Sequence, residues 1–65
     1  MNLINIDLLR RLRRQNHLSL NALGRIVDRN KSTIWRYEEG ILVVPTDVLF
    51  KLADLYQVSI DSFRK

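Results

Sequence analysis

Apolar residues recur three and four apart along this chain, in short blocks separated by polar breaks. That is the spacing of helices that bury one face. Ile6, Leu9 and Leu12 predict a first helix from Asn5 or Ile6 to Gln15, closed by Asn16 and His17. Leu20, Leu23 and Val27 predict a second, from Leu20 to Val27, opened by Ser19. Ile34 and Tyr37, with Thr33 beside them, mark the inner face of a third, from Lys31 to about Glu39. A fourth begins near Pro45 or Thr46, with Leu49, Leu52, Ala53 and Tyr56 or Leu55 as its stripe. A short fifth is capped by Ser59 and anchored by Ile60 and Phe63. No run alternates long enough for a strand, and no repeat, linker or low-complexity tract interrupts the pattern. The expectation is an all-α chain of five helices forming a single small domain over residues 1–65.

The punctuation between blocks supports these boundaries. Ser19 and Asn30 are cap residues, whose side-chain oxygens accept from backbone N–H groups left unpaired at a helix start. Gly40 suits the left-handed residue that ends a helix. Pro45 suits a first helical position, where its missing N–H is not needed. Gly24 lowers helix propensity by about 1 kcal/mol, so a close approach of the next helix is expected there.

The second and third helices carry the chemistry. Around the third, Lys31, Trp35, Glu39, Ser32 and Arg36 fall in that angular order within an arc of roughly 140°. The outer face thus offers two cations, a hydroxyl and a large apolar plate, while Ile34 and Tyr37 point inward. Arg can fork onto guanine O6 and N7, and Lys reaches the same acceptors as a point charge. A basic amphipathic helix can equally be a solvated surface. The preceding helix changes that balance. Helix, a three-residue break at Asp28, Arg29 and Asn30, then helix is the spacing of a helix-turn-helix over about residues 19–39.

Residues 18–40 resemble the helix-turn-helix family of phage repressors and Cro proteins, the XRE family. Leu18, Ser19, Leu23, Ser32, Thr33, Ile34, Arg36, Glu38 and Gly40 match its pattern. Leu9, Arg10, Leu12 and Arg13 resemble its first helix, and Leu49, Lys51, Leu52, Ala53, Val58, Ser59, Asp61 and Phe63 resemble its ending. The likeness spans about residues 6–64. It implies a compact five-helix, lambda-repressor-like bundle that binds a double-stranded DNA operator of two-fold symmetry, as a homodimer at least on DNA. It also implies an ion pair between Arg13 and Glu38, tying the first helix to the end of the third.

Eight residues depart from the family pattern. Asp28 stands where the turn favours Gly, and Arg29 where the next residue is apolar. Leu20 replaces the Gln that often holds a phosphate. Glu39 replaces an Asn and would repel a phosphate it faced. Ile41, Leu42, Val43 and Val44 replace a basic loop. The usual set of phosphate contacts therefore does not carry over intact.

Composition narrows the rest. The 65 residues can bury only a modest core. With no cysteine there is neither a disulfide framework nor a thiolate metal site, and His17 lacks companion ligands. His17 reads as a surface or C-terminal capping residue. No apolar run approaches the ~20 residues of a membrane span, and the N-terminus lacks the form of a secretory signal. A cytoplasmic, nucleoid-associated location is expected, as is a complete chain, given Met1 and the lack of a tail. Net charge is +4, with a sequence pI near 10.1, favouring a polyanionic partner. No cofactor, metal or small-molecule ligand is indicated. The chain shows no nucleophile–base pair and no Gly-rich phosphate loop, so it does not read as an enzyme.

The expected contacts follow. Lys31, Ser32, Trp35 and Arg36 are candidates for base edges. Ser19, Arg29, Asn30 and Thr33 are candidates for phosphates. Trp35 has three readings: against a sugar, on a thymine methyl, or folded back over the domain, with burial by a dimer partner as a rival. Arg10, Arg11 and Arg14 form a patch that either faces phosphate or is solvated. Ile41 to Val44 either cover the core or, with Phe63, form a dimer seam. The leading reading is a sequence-specific DNA-binding regulator, most simply a repressor. The alternative is a protein-interaction module of the same fold that has lost DNA binding, such as an antirepressor, an antitoxin-like component or an inhibitor. Leu20, Glu39 and the apolar loop favour that alternative.

Overall fold

A computed structural model describes residues 3–65; Met1 and Asn2, and with them the expectation resting on Met1, lie outside the described residues. Four α-helices follow one another: α1 (Ile6–Gln15), α2 (Leu20–Val27), α3 (Lys31–Glu38) and α4 (Thr46–Tyr56). The caps set where each begins. Asn5 accepts from the Leu8 amide at 3.2 Å, Ser19 from Ala22 at 3.0 Å and Asn30 from Thr33 at 2.9 Å. α3 ends one residue earlier than its periodicity suggests, at Glu38, with Glu39 as cap and Gly40 in the left-handed region at φ 73°. Pro45 is the residue before α4, with extended backbone, rather than its first helical residue.

Among the described residues, three that are not glycine take left-handed backbone: His17, Asp28 and Gln57. Each sits just past a helix and lets the chain reverse. His17 and Asp28 do so where the family pattern would use Gly, at a small cost in backbone energy.

The core forms where the four stripes meet. Leu9, Leu23, Val27, Ile34, Tyr37, Val48, Leu52 and Tyr56 pack together, with Ile6, Leu12 and Leu20 half-buried at its margin. Val27, Val48 and Phe63 are fully enclosed, and burying a side chain of that kind contributes roughly 1.5–3 kcal/mol. On α4 it is Tyr56 rather than Leu55 that turns fully inward. Gly24 has a packing reason, although its neighbour is the turn rather than the next helix. A Cβ there would lie 2.4 Å from the Arg29 carbonyl oxygen, and the Arg29 amide donates to the Gly24 carbonyl at 2.8 Å. This close approach sets α3 against α2.

The fifth element is a single 3-10 turn, Ile60–Phe63, not an α-helix. Ser59 makes no cap bond to it, and its hydroxyl lies 3.3 Å from that of Ser62. Only Phe63 anchors the turn; Ile60 is exposed. Phe63 has no accessible surface and Val44 almost none, so neither can belong to a dimer seam: both are core residues of one chain. The two ends of the described segment meet. Ile4 and Arg64 form an antiparallel bridge, with Asn5 N–H donating to the Phe63 carbonyl at 2.8 Å and Lys65 N–H to Leu3 at 2.9 Å.

Candidate nucleic-acid interface

α3 has a fixed back and a free front. Ile34 and Tyr37 are buried, whereas Lys31, Ser32, Trp35 and Arg36 are exposed. These four, with Leu20 from the first turn of α2, line an open groove of about 410 Å³. Neither Lys31 nor Arg36 joins an ion pair among the described residues. Trp35 keeps 47% of its surface accessible and stands over this groove rather than folding onto the core. Leu20 is the residue that periodicity missed here. It sits on the inward stripe of α2, and only the packing of α2 against α3 brings it to the groove wall.

The far end of α3 is the opposite case. Glu38 is the one buried charged residue among those described. Arg13 holds it bidentately, Nε to Oε2 at 2.7 Å and Nη2 to Oε1 at 3.0 Å, while Arg13 Nη1 donates to the Leu18 carbonyl at 2.9 Å. Arg10 adds a longer contact to Glu38 at 3.5 Å and donates to the Glu39 carboxylate. Its pKa is held above the ordinary arginine value, by the bond to Glu39 above all and by Glu38. Glu39 thus has its charge matched within the chain. Arg10 is drawn out of the α1 patch, leaving Arg11 and Arg14 exposed and without ion pairs among the described residues. Beneath this network lies the Tyr56 hydroxyl, buried with no hydrogen-bond partner. Burial, and then the Glu38 charge, push its pKa up to about 12.

The phosphate candidates divide. Ser19 Oγ accepts from Ala22 N and holds the start of α2. Asn30 Oδ1 accepts both the Thr33 amide and, at 3.0 Å, the Thr33 hydroxyl. The single Thr33 hydroxyl proton is therefore used inside the cap, and donating it to a phosphate would mean breaking that bond. Arg29 Nη2 pairs with Asp47 at 3.2 Å, and its Nη1 donates to the Asp28 carbonyl at 3.0 Å. The Tyr37 hydroxyl first, and then Asp47, hold Arg29 above the ordinary arginine value. The turn arginine is consequently engaged across α2, α3 and α4.

Beyond the groove, Ile41, Leu42 and Val43 are exposed, at 65%, 42% and 70%, as is Phe50 on α4 at 56%. Among the described residues no helix is long and apolar enough to cross a membrane. In comparison with known sequences, the model of a family described as a helix-turn-helix domain matches residues 7–64, nearly the whole chain. No curated protein and no solved structure gave a match.

Proposed function

The chain belongs to this helix-turn-helix domain family, and from that premise we propose that it is a sequence-specific double-stranded DNA-binding regulator, a repressor of phage, mobile-element or bacterial genes. One observation carries the reading. The outer face of α3 presents Lys31, Ser32, Trp35 and Arg36 to solvent with both cations unpaired, while the two carboxylates at its end are held by Arg10 and Arg13. Such a helix enters a major groove with its donors available for base acceptors and without a facing negative charge. Ser19 at the amide end of α2, with the exposed Arg11 and Arg14 of α1, would support it through phosphates. Selecting bound duplexes from a random pool tests this. Enrichment of one motif, with affinity falling steeply as salt rises, is the expected result; retention of no motif would sink it.

The exposed apolar loop strip Ile41 to Val43 favours a two-fold partner copy on the operator, which would give palindromic enriched sites. Val43→Asp should then reduce the mass of the DNA-bound species in ultracentrifugation from two copies to one. An unchanged mass would remove this loop from the seam. The same strip is what supports the second reading, docking onto another protein, which would be insensitive to salt and indifferent to duplex DNA.

A further inference from the structure

Leu20 and Trp35 give the groove on α3 two apolar walls. Leu20 is half-buried, its inner side packed on the core, so its position is fixed by the fold. Trp35 is a rigid plate on the next helix. Lys31, Ser32 and Arg36 complete the rim, and no acidic side chain lines the groove. An apolar notch framed by cations fits a small apolar group carried on a surface that is otherwise rich in acceptors and flanked by negative charge. An aliphatic protein side chain would satisfy the walls and leave both cations without partners.

On the edges of a DNA duplex one apolar group meets this description. It is the methyl group on C5 of a pyrimidine, which projects into the major groove beside carbonyl and ring-nitrogen acceptors. We propose that the Leu20–Trp35 notch reads a pyrimidine C5-methyl group, with Arg36 and Lys31 donating to acceptors of the neighbouring base pairs. This rests on the duplex-binding reading above. It assigns Leu20, a residue of α2, a part in base discrimination. The methyl can come from thymine or from 5-methylcytosine, and the chemistry of the notch is the same for both.

The test uses the enriched duplex, measured by fluorescence anisotropy. Each thymine is replaced singly by deoxyuridine, which removes only the methyl, and each cytosine singly by 5-methylcytosine, which adds one. If thymine fills the notch, deoxyuridine at one position per half-site should weaken binding about fourfold, the worth of one buried methyl group. If 5-methylcytosine fills it, methylation at one cytosine should strengthen binding by a similar factor, with no thymine position sensitive to deoxyuridine. In either case the sensitivity should vanish in Trp35→Ala and in Leu20→Gln, with helix content checked by circular dichroism. Trp35 lies outside the buried core, so Trp35→Ala keeps the test independent of whether the Leu20 variant folds. Specific binding that ignores every methyl change would overturn the notch and leave the regulator reading standing. So would a methyl effect that persists in Trp35→Ala. If the wild-type chain selects no duplex and binds without salt dependence, both fall, and an apolar protein ligand becomes the occupant.

Discussion

The outer face of α3 and its C-terminal end are built on opposite plans. Along its outer face, Lys31, Ser32, Trp35 and Arg36 stand in solvent, and the cations have no ion-pair partner among the described residues. At its finish, Glu38 is buried and clamped by Arg13, with Arg10 bridging to Glu39. The sequence spacing is similar throughout the helix; the difference comes from what α1 places against it. A helix that must present side chains to a partner at a fixed angle needs one end held rigidly. It can hold that end with charge only if the charge is satisfied inside the chain. The lesson is that charge at the end of α3 is fastening, and charge at its front is available for recognition.

The largest effect should come from unfastening the far end. Glu38→Ala leaves the Arg13 side chain, itself only 11% exposed, facing a gap in place of its carboxylate. Breaking a buried pair from one side costs about 3–5 kcal/mol, and urea denaturation should show a loss of that order. Glu39→Ala removes an exposed pair and should cost less than about 1 kcal/mol. Equal losses for Glu38 and Glu39 would erase the distinction drawn between them.

Gly24→Ala attacks the same rigidity from the other side. Its Cβ would meet the Arg29 carbonyl at 2.4 Å, which is backbone and cannot swing away. A loss of about 1–3 kcal/mol in thermal or chemical unfolding is expected, with α3 displaced from α2. Arg36→Ala addresses the free face. It should leave unfolding within about 0.5 kcal/mol of wild type, since surface changes away from special features rarely do more. It should weaken operator binding by about 1–3 kcal/mol and relax preference at one base pair. A large stability loss here would mean that Arg36 is part of the scaffold.

The smallest effect is a pH signature at the seam between the two plans. The Tyr56 phenol is pushed up to about 12, from an ordinary 10.0. The unfolded chain therefore gives up this proton first as pH rises. The contribution to stability is complete below about pH 10 and is lost progressively as pH climbs through about 12. Phenolate absorbance should show one tyrosine titrating late, and Tyr56→Phe should remove that phase. If the phase that Tyr56→Phe removes lies at the ordinary value of 10.0, the hydroxyl is not enclosed as described.

The helices themselves were legible because their signals are local. Ser19 and Asn30 fix the starts of α2 and α3 through bonds three residues long, and periodicity places Leu9, Leu23, Val27 and Ile34 inside. What periodicity cannot see is a contact made by folding. The Arg13–Glu38 pair bridges 25 residues and was implied by family likeness alone. Arg10 with Glu39, Arg29 with Asp47, and the arrival of Leu20 at the groove wall had no local trace. Phe63 looked like seam material because a short, late apolar pair reads the same whether it is buried within one chain or between two. Val44 carried both readings, core cover and seam, as the last of four consecutive apolar residues of which the first three are exposed, and it takes the first. Of the candidate contact surface, the α3 face could be read from its wheel, while the commitment of Thr33 and Arg29 to internal bonds could not.

The bridge between Ile4 and Arg64 has a mechanical consequence. Because the two strands run antiparallel, tension applied through both ends would unzip their amides in succession instead of shearing them together. Phe63 lies directly behind the last of those bonds. A pull of that kind would draw a stopper from the base of the bundle, loosening α1 while the α2–α3 pair still held.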